Sequence, residues 1–504
     1  MRGKVNDDLK SGTSRKIILV FFLLAILVVS MISISLGSQS SEIISATGSV
    51  NYWPRADVSV NISKVVGVNN LSLGFMLDWH RWQHFIDRPV QRQLARDVGF
   101  KLIRVFDFRK TTPRLMPCTR WDEPTKTGTW DWANVDTLVQ KIFEIGAEPL
   151  FCLGWARDNI KNYIPPDMAV NPDTGLPYPE SYAAYAKEWV VHFKTLDLPV
   201  RYYEIMNEPH FYFGWNPSET TKLAYYVELW NASASAMRAE NPNIFLSQDS
   251  ITMKRVLDYW LTHGDDVDYL DFHKYDAETA EQYSDAEMFR RAERTQFETY
   301  GSFYGIGEAR EKWFNARGKW LPAINSESNF NSGWEDGTDP KIQQMVGAVW
   351  LALVLRMGIL KGLTHNVYFE FCSSRSWQEA HGTGWGFGMT NEDDNQPWYP
   401  YYVHKMIGDD LTNGDELIEA ESSSDDIRSL GWVHQEMLNI LLICIVDEPK
   451  TVTLQGISGQ LNISWIDNSI SYETPSVQTD LINSNETLVI SGYTVALLQK
   501  PAYP

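Results

Sequence analysis

Residues 201–210 read Arg201-Tyr202-Tyr203-Glu204-Ile205-Met206-Asn207-Glu208-Pro209-His210. Aromatic and aliphatic side chains run as far as Met206. Asn207 and Glu208 follow, and Pro209 cannot continue a hydrogen-bonded ladder. The stretch reads as a short buried strand that runs out at a carboxylate. Glu204 has the same strand parity as Glu208, so it points inward at a deeper level, where a carboxylate needs a partner. A buried ion pair with a neighbouring arginine is expected there.

The same pattern recurs on both sides of this stretch. Strand-like runs fall at Leu73–Leu77, Leu102–Phe106, Glu148–Leu153, Arg201–Met206, Ile244–Ser247, Tyr269–Phe272, Ala323–Ser326 and Asn366–Phe369. Amphipathic stretches such as Val135–Ile145 and Tyr182–Phe193 lie between them, with apolar residues at three- and four-residue spacing. Eight strands alternating with helices predict an α/β fold, a (β/α)₈ TIM barrel over residues 56–408. From 409 to 504 the texture changes to strand-like runs broken by turn residues: Asn439–Ile445, Thr451–Leu454, Leu461–Ile466, Leu488–Ile490 and Thr494–Leu498. That pattern predicts a C-terminal antiparallel β-sandwich domain, which the early run Val58–Ile62 can return to join.

The N-terminus has a different character. Residues 17–36 carry no charge, a length sufficient to cross a hydrocarbon layer as a helix, and Arg2, Lys4, Lys10, Arg15 and Lys16 precede them. By the positive-inside rule, residues 1–16 form a cytoplasmic basic tail and everything after Leu36 lies outside. Residues 17–36 act as a transmembrane anchor or a signal segment, with the retained anchor favoured by length. Residues 37–55, rich in Ser and Gly at their start, read as a linker. Five Asn-x-Ser/Thr triplets, at Asn61, Asn70, Asn231, Asn462 and Asn485, agree with an extracellular location.

Composition excludes some partners. Lys and Arg number 44 against 64 Asp and Glu, a net charge of −20 that repels nucleic acid. Twenty Trp, 23 Tyr and 22 Phe supply flat rings suited to the C–H faces of sugars, although most such rings fill cores. Cys118, Cys152, Cys372 and Cys444 lie far apart without Cys-x-x-Cys spacing, and they define no disulfide framework. His80, His210, His273 and His381 lack metal-ligand spacing, so neither a metal nor another cofactor is expected.

In a barrel the reactive groups stand where strands run out. Strand one gives Asp78, Trp79 and His80; strand two carries Arg104; strand three runs out at Trp155 and Arg157. Strand four gives Asn207, Glu208 and His210, and strand five is followed by Gln248 and Asp249. Strand six gives His273 and Tyr275, strand seven Glu327, and strand eight Glu370 with Trp377 beyond it. Glu208 and Glu327 would face one another across the mouth. Displacement at an anomeric carbon needs such a pair, one carboxylate charged and the other protonated, about 5–5.5 Å apart when configuration is retained. Arg104 beside Glu327 would favour its charged form, and the charge on Glu327 would raise the pKa of Glu208. Glu370, also at a strand end, is the competing nucleophile.

Tyr203-Glu204-Ile205-Met206-Asn207-Glu208-Pro209 resembles the Asn-Glu-Pro signature of clan A glycoside hydrolases, barrels with catalytic glutamates after strands four and seven. The match runs from Asp57 to about Pro504 and is most similar to family 39 and family 5 enzymes. The resemblance implies that Glu208 is the general acid/base, that Asn207 contacts the sugar 2-hydroxyl, and that Glu327 is the nucleophile. It also implies that Arg104 and Tyr275 hold Glu327 in place and that His273 and Trp377 touch the sugar. The segment Ser328–Trp334 departs from the family pattern. His210, Asp78, His80 and Trp155 are further candidate substrate contacts. The expected function is a retaining glycoside hydrolase acting on β-linked oligo- or polysaccharides. A non-catalytic carbohydrate-binding surface protein and a transglycosylase are the alternatives.

Overall fold

The computed structural model describes residues 53–502, apart from 79–80, 107–114, 157–159, 216–219, 280, 334–339 and 383. The basic tail, the apolar segment 17–36, most of the linker, and His80 lie outside the described residues. Among the described residues no helix is long and apolar enough to cross a membrane.

Eight parallel strands form the barrel sheet: Ser72–Asp78, Leu102–Phe106, Glu148–Cys152, Tyr202–Glu204, Phe245–Ser247, Leu270–Ala277, Ala323–Asn331 and His365–Tyr368. Numbered first to eighth along the chain, they lie in the order 5-4-3-2-1-8-7-6. The seam between fifth and sixth is bridged where the Asp268 N–H donates to the Leu246 carbonyl at 2.8 Å. The strands are buried on both faces and therefore read as short, nearly continuous apolar runs. Each expected strand is present; the sixth and seventh run five residues further toward the mouth than the apolar pattern indicates.

The helix Ala133–Glu144 buries Val135, Leu138, Val139 and Ile142, one face of a 3.6-residue repeat. Pro179–Thr195 starts on a proline at its first turn, where no N–H is needed, and buries Tyr182, Tyr185, Trp189 and Phe193. The helix Met345–Leu360 is apolar nearly all round. It has two faces to cover, since it packs on the barrel and also on the strands Met437–Cys444 and Val495–Pro501 of the C-terminal domain. From this helix Arg356 Nε donates to the Ser429 carbonyl at 2.9 Å, and nearby Arg428 pairs with Glu293 at 2.8 Å.

The C-terminal strands form one continuous nine-stranded sheet. Its pairings are antiparallel except for one. Arg55–Val68 crosses over from the start of the chain, pairing antiparallel with Glu416–Ser422 and parallel with Lys450–Gln455. Residues 56–68, counted by sequence within the barrel, thus belong to this sheet, and the barrel's own first strand starts at Ser72. One apolar cluster runs from the barrel into this domain through Leu417, Trp432, Leu441 and Leu497.

Candidate active site

The mouth of the barrel gathers residues from five strands around Arg104. This side chain rises from the second strand with no exposure to solvent. Its Nε and Nη2 donate to Glu204 at 3.0 and 2.6 Å, Nη2 also to Asn207 Oδ1 at 2.6 Å, and Nη1 to Glu327 Oε2 at 2.6 Å. One buried cation is thus shared by two carboxylates, and the attraction of Glu204 and Glu327 holds it charged although burial opposes that charge. The Tyr275 hydroxyl donates to the other oxygen of Glu327. Both expected partners of Glu327 are in place, and so is the expected arginine partner of Glu204.

The fourth and seventh strands are separated in the ring by the fifth and sixth. A carboxylate oxygen of Glu208, one of Glu327 and a His273 ring nitrogen lie within 4.8 Å of one another. His273 Nδ1 is 3.2 Å from Glu208 Oε1 and 3.8 Å from Glu327 Oε2. Burial pulls the His273 pKa down, but the charges of Glu327 and Asp249 and the hydrogen bond to Glu208 outweigh it and push it up to about 10. The imidazolium in turn reverses one expectation. Burial works against the charge on Glu208, yet the hydrogen bond and charge of His273 prevail and hold its carboxyl below the usual range rather than above it. Both shifts favour a proton on His273 over one on Glu208. The sequence reading allowed for the charge of Glu327 but not for a cation lying between the two carboxylates.

Glu208 itself occupies an uncommon conformation, with φ at +42°. A non-glycine residue there carries about 1–3 kcal/mol of strain. The segment leading into it is anchored at Asn207, whose N–H donates to the Gly154 carbonyl at 2.7 Å. A Cβ on Gly154 would stand 2.5 Å from the Tyr182 hydroxyl, so only glycine allows this approach.

The other candidates fall in different places. His210 is set against Ser250, Nδ1 to Oγ at 2.8 Å, and burial pulls its pKa down to about 4. Trp155 lies beside Asn207 in an isolated parallel bridge, with its ring against Phe106 and Tyr163. Asp78 is buried at the end of the first strand. Trp377 sits on the helix Arg375–Ala380, half exposed, its ring stacked on His381 at 4.0 Å. Glu370 is buried, 3.3 Å from Arg81 Nε, and burial pushes its pKa up to about 7 against the pull of Arg81.

Two residues given no role by the sequence reading also stand in the site. Phe369 directly follows the eighth strand, with its ring edge-on to Tyr275 at 6.3 Å. Asp249, following the fifth strand, accepts the Glu208 N–H at 2.6 Å. Its position after a strand end was visible in the sequence, but its partners, 41 and 24 positions away at Glu208 and His273, were not.

No protein-family model and no curated protein matches the sequence. Solved structures match in fold. A β-xylosidase from Caulobacter crescentus CB15 gives a TM-score of 0.60 at 14% identity, over 89% of this chain and 100% of that one. An α-L-arabinofuranosidase from Thermotoga maritima gives 0.60 at 11%, over 88% and 99%. A GH39 enzyme from Xanthomonas axonopodis pv. citri gives 0.59 at 13%, over 92% and 99%. Such coverage takes in the described barrel and the β domain together, and the chain accordingly has the fold of the clan A glycoside hydrolases.

Proposed function

We propose that this chain is a retaining glycoside hydrolase for β-linked or equivalently configured glycosides, with Glu327 as nucleophile and Glu208 as general acid/base. The observation that carries the reading is the close approach of the Glu208 and Glu327 carboxylates, within 4.8 Å oxygen to oxygen. Inverting enzymes hold the pair about 6.5–9.5 Å apart to admit a water, whereas retaining enzymes hold it at about 5–5.5 Å.

Glu327, clamped by Arg104 and Tyr275, attacks the anomeric carbon and forms a glycosyl ester as the bond to the leaving oxygen breaks. Bond formation spends the charge of Glu327, and with it the attraction that keeps a proton on His273. That proton passes across the 3.2 Å contact to Glu208 and on to the leaving oxygen, which departs as an alcohol. Water then attacks the same carbon, returns a proton to Glu208 and His273, and frees Glu327. The fold likeness to a β-xylosidase and an α-L-arabinofuranosidase suggests pentose glycosides as the first substrates to try. By the basic flank and uncharged span of the N-terminus, the folded part works outside the cytoplasm, tethered by residues 17–36.

The test is hydrolysis of nitrophenyl β-D-xyloside, β-D-glucoside and α-L-arabinofuranoside, with proton NMR of the first sugar released. The expected product keeps the substrate's anomeric configuration. Binding of oligosaccharides without turnover of any glycoside would favour a carbohydrate-binding protein instead, and dominance of products with added sugar acceptor would favour a transglycosylase.

A further inference from the structure

Two hydrogen-bond donors and two cationic side chains converge on one buried side chain outside the pair of glutamates. Asp249 Oδ2 accepts the Glu208 N–H at 2.6 Å and lies 3.4 Å from His273 Nε2. Asp249 Oδ1 accepts from Ser250 Oγ at 2.9 Å, and Ser250 in turn meets His210 Nδ1 at 2.8 Å. Arg104 Nη2 stands 3.9 Å away. The carboxylate is thus tied to the backbone of Glu208, to the ring next to the Glu208 carboxyl, and through Ser250 to the residue two positions further on.

We infer that Asp249 is a positioning residue, which holds Glu208 in its strained conformation and keeps His273 between the two glutamates. The strain makes such a holder necessary. At a φ of +42° the Glu208 backbone would relax unless something fixed it, and relaxation would swing the carboxyl away from the cleft. A short N–H bond, 2.6 Å to an oxygen of a buried side chain, can do this. Asp249 also lies 3.4 Å from the far nitrogen of His273, close enough for charge attraction without a hydrogen bond, while Nδ1 faces Glu208. Asparagine is a poor replacement. It lacks the negative charge that faces His273 and Arg104, and with its oxygen on the Glu208 N–H its N–H₂ forces the Ser250 hydroxyl to turn from donor to acceptor.

This inference rests on the reading of Glu208 as acid/base, and its test separates the two. Wild type, Glu208→Ala, Asp249→Asn and Ser250→Ala are assayed on an alkyl glycoside and a dinitrophenyl glycoside of the best wild-type sugar, with thermal melting as a folding control. Asp249→Asn is expected to lower kcat/KM about 100-fold on the alkyl glycoside, the cost of a misplaced catalytic group. On the dinitrophenyl glycoside, which needs no proton, it is expected to lose only a few-fold. Ser250→Ala, a milder change that answers the question should Asp249→Asn not fold, should show the same split at about 3-fold. If Glu208→Ala itself shows no dependence on the leaving group, the acid/base reading falls and this inference with it. If Glu208→Ala shows that dependence, while Asp249→Asn or Ser250→Ala matches wild type or loses both substrates equally, the positioning role of Asp249 alone is overturned.

Discussion

The Arg104 guanidinium and the Glu204 carboxylate meet at 2.6 and 3.0 Å, with neither side chain exposed to solvent. Arg104 is therefore held from below by one carboxylate while it holds a second, Glu327, from the side. Glu204→Gln keeps the shape but removes the charge that balances this buried cation. Breaking a buried pair costs about 3–5 kcal/mol, so urea unfolding should show a loss of that order. Turnover should fall as well, because Arg104 then keeps Asn207 and Glu327 but loses one of its two acceptor oxygens at Glu204. Wild-type stability in Glu204→Gln would mean that Arg104 is positioned by other contacts.

His273 sets a pH dependence whose sign can be worked out. Its pKa in the folded chain is about 10 against an ordinary 6.5, so folding binds its proton more tightly. The stabilisation is fully present below about pH 6.5 and is lost as the pH rises through about 10. Glu208, held below the ordinary 4.5, contributes with the opposite sign: stability present above that value and lost as the pH falls. His273→Gln should flatten the alkaline decline measured by urea unfolding. It should also move the alkaline limb of kcat/KM to lower pH, since the proton must then rest on a carboxyl. An alkaline limb that does not move would place the proton elsewhere in the free enzyme.

The barrel frame was legible because barrel strands announce themselves twice, as short apolar runs and as the polar residues that end them. Glu204 and Glu327 follow from strand parity and position, whereas the places of Arg104 and Tyr275 beside Glu327 were implied by the resemblance to clan A enzymes. The strands Glu416–Ser422, Ile427–His434 and Gln478–Asn483 were missed for a physical reason. Glu416–Ser422 and Gln478–Asn483 bury few side chains and read as polar segments, and Gly431 interrupts the alternation of Ile427–His434. The part played by Asp249, and the cation between the glutamates, depend on contacts between distant strands that no local pattern carries.

Gly154 gives a test of how closely the third strand supports Asn207. Gly154→Ala would press the Tyr182 hydroxyl, which donates to the Ile205 carbonyl at 3.0 Å just before Asn207. Overpacking of this kind costs about 1–3 kcal/mol. Melting should fall accordingly, and kcat should fall more than KM rises because the disturbance reaches Glu208. A variant with normal melting and normal kcat would show that the third strand gives way without moving the fourth.

Removal of the β domain should reveal a structural rather than a chemical role. Truncation after Gly408 strips cover from the helix Met345–Leu360 and cuts a continuous apolar core, so aggregation or a large loss of melting temperature is expected. A soluble, folded barrel that binds substrate without turning it over would instead assign part of the chemistry to the β domain.

The assignment of roles to the two glutamates is tested most directly by azide rescue of Glu327→Ala and Glu208→Ala on a dinitrophenyl glycoside. With Glu327 removed, azide takes the vacated place of the nucleophile and attacks the substrate itself, giving a glycosyl azide of inverted configuration. With Glu208 removed, the ester on Glu327 still forms and azide attacks it from the vacated side, giving a glycosyl azide of retained configuration. Opposite configurations in the two NMR spectra are the predicted result; the same configuration from both variants, or a wild-type enzyme that inverts, would contradict it.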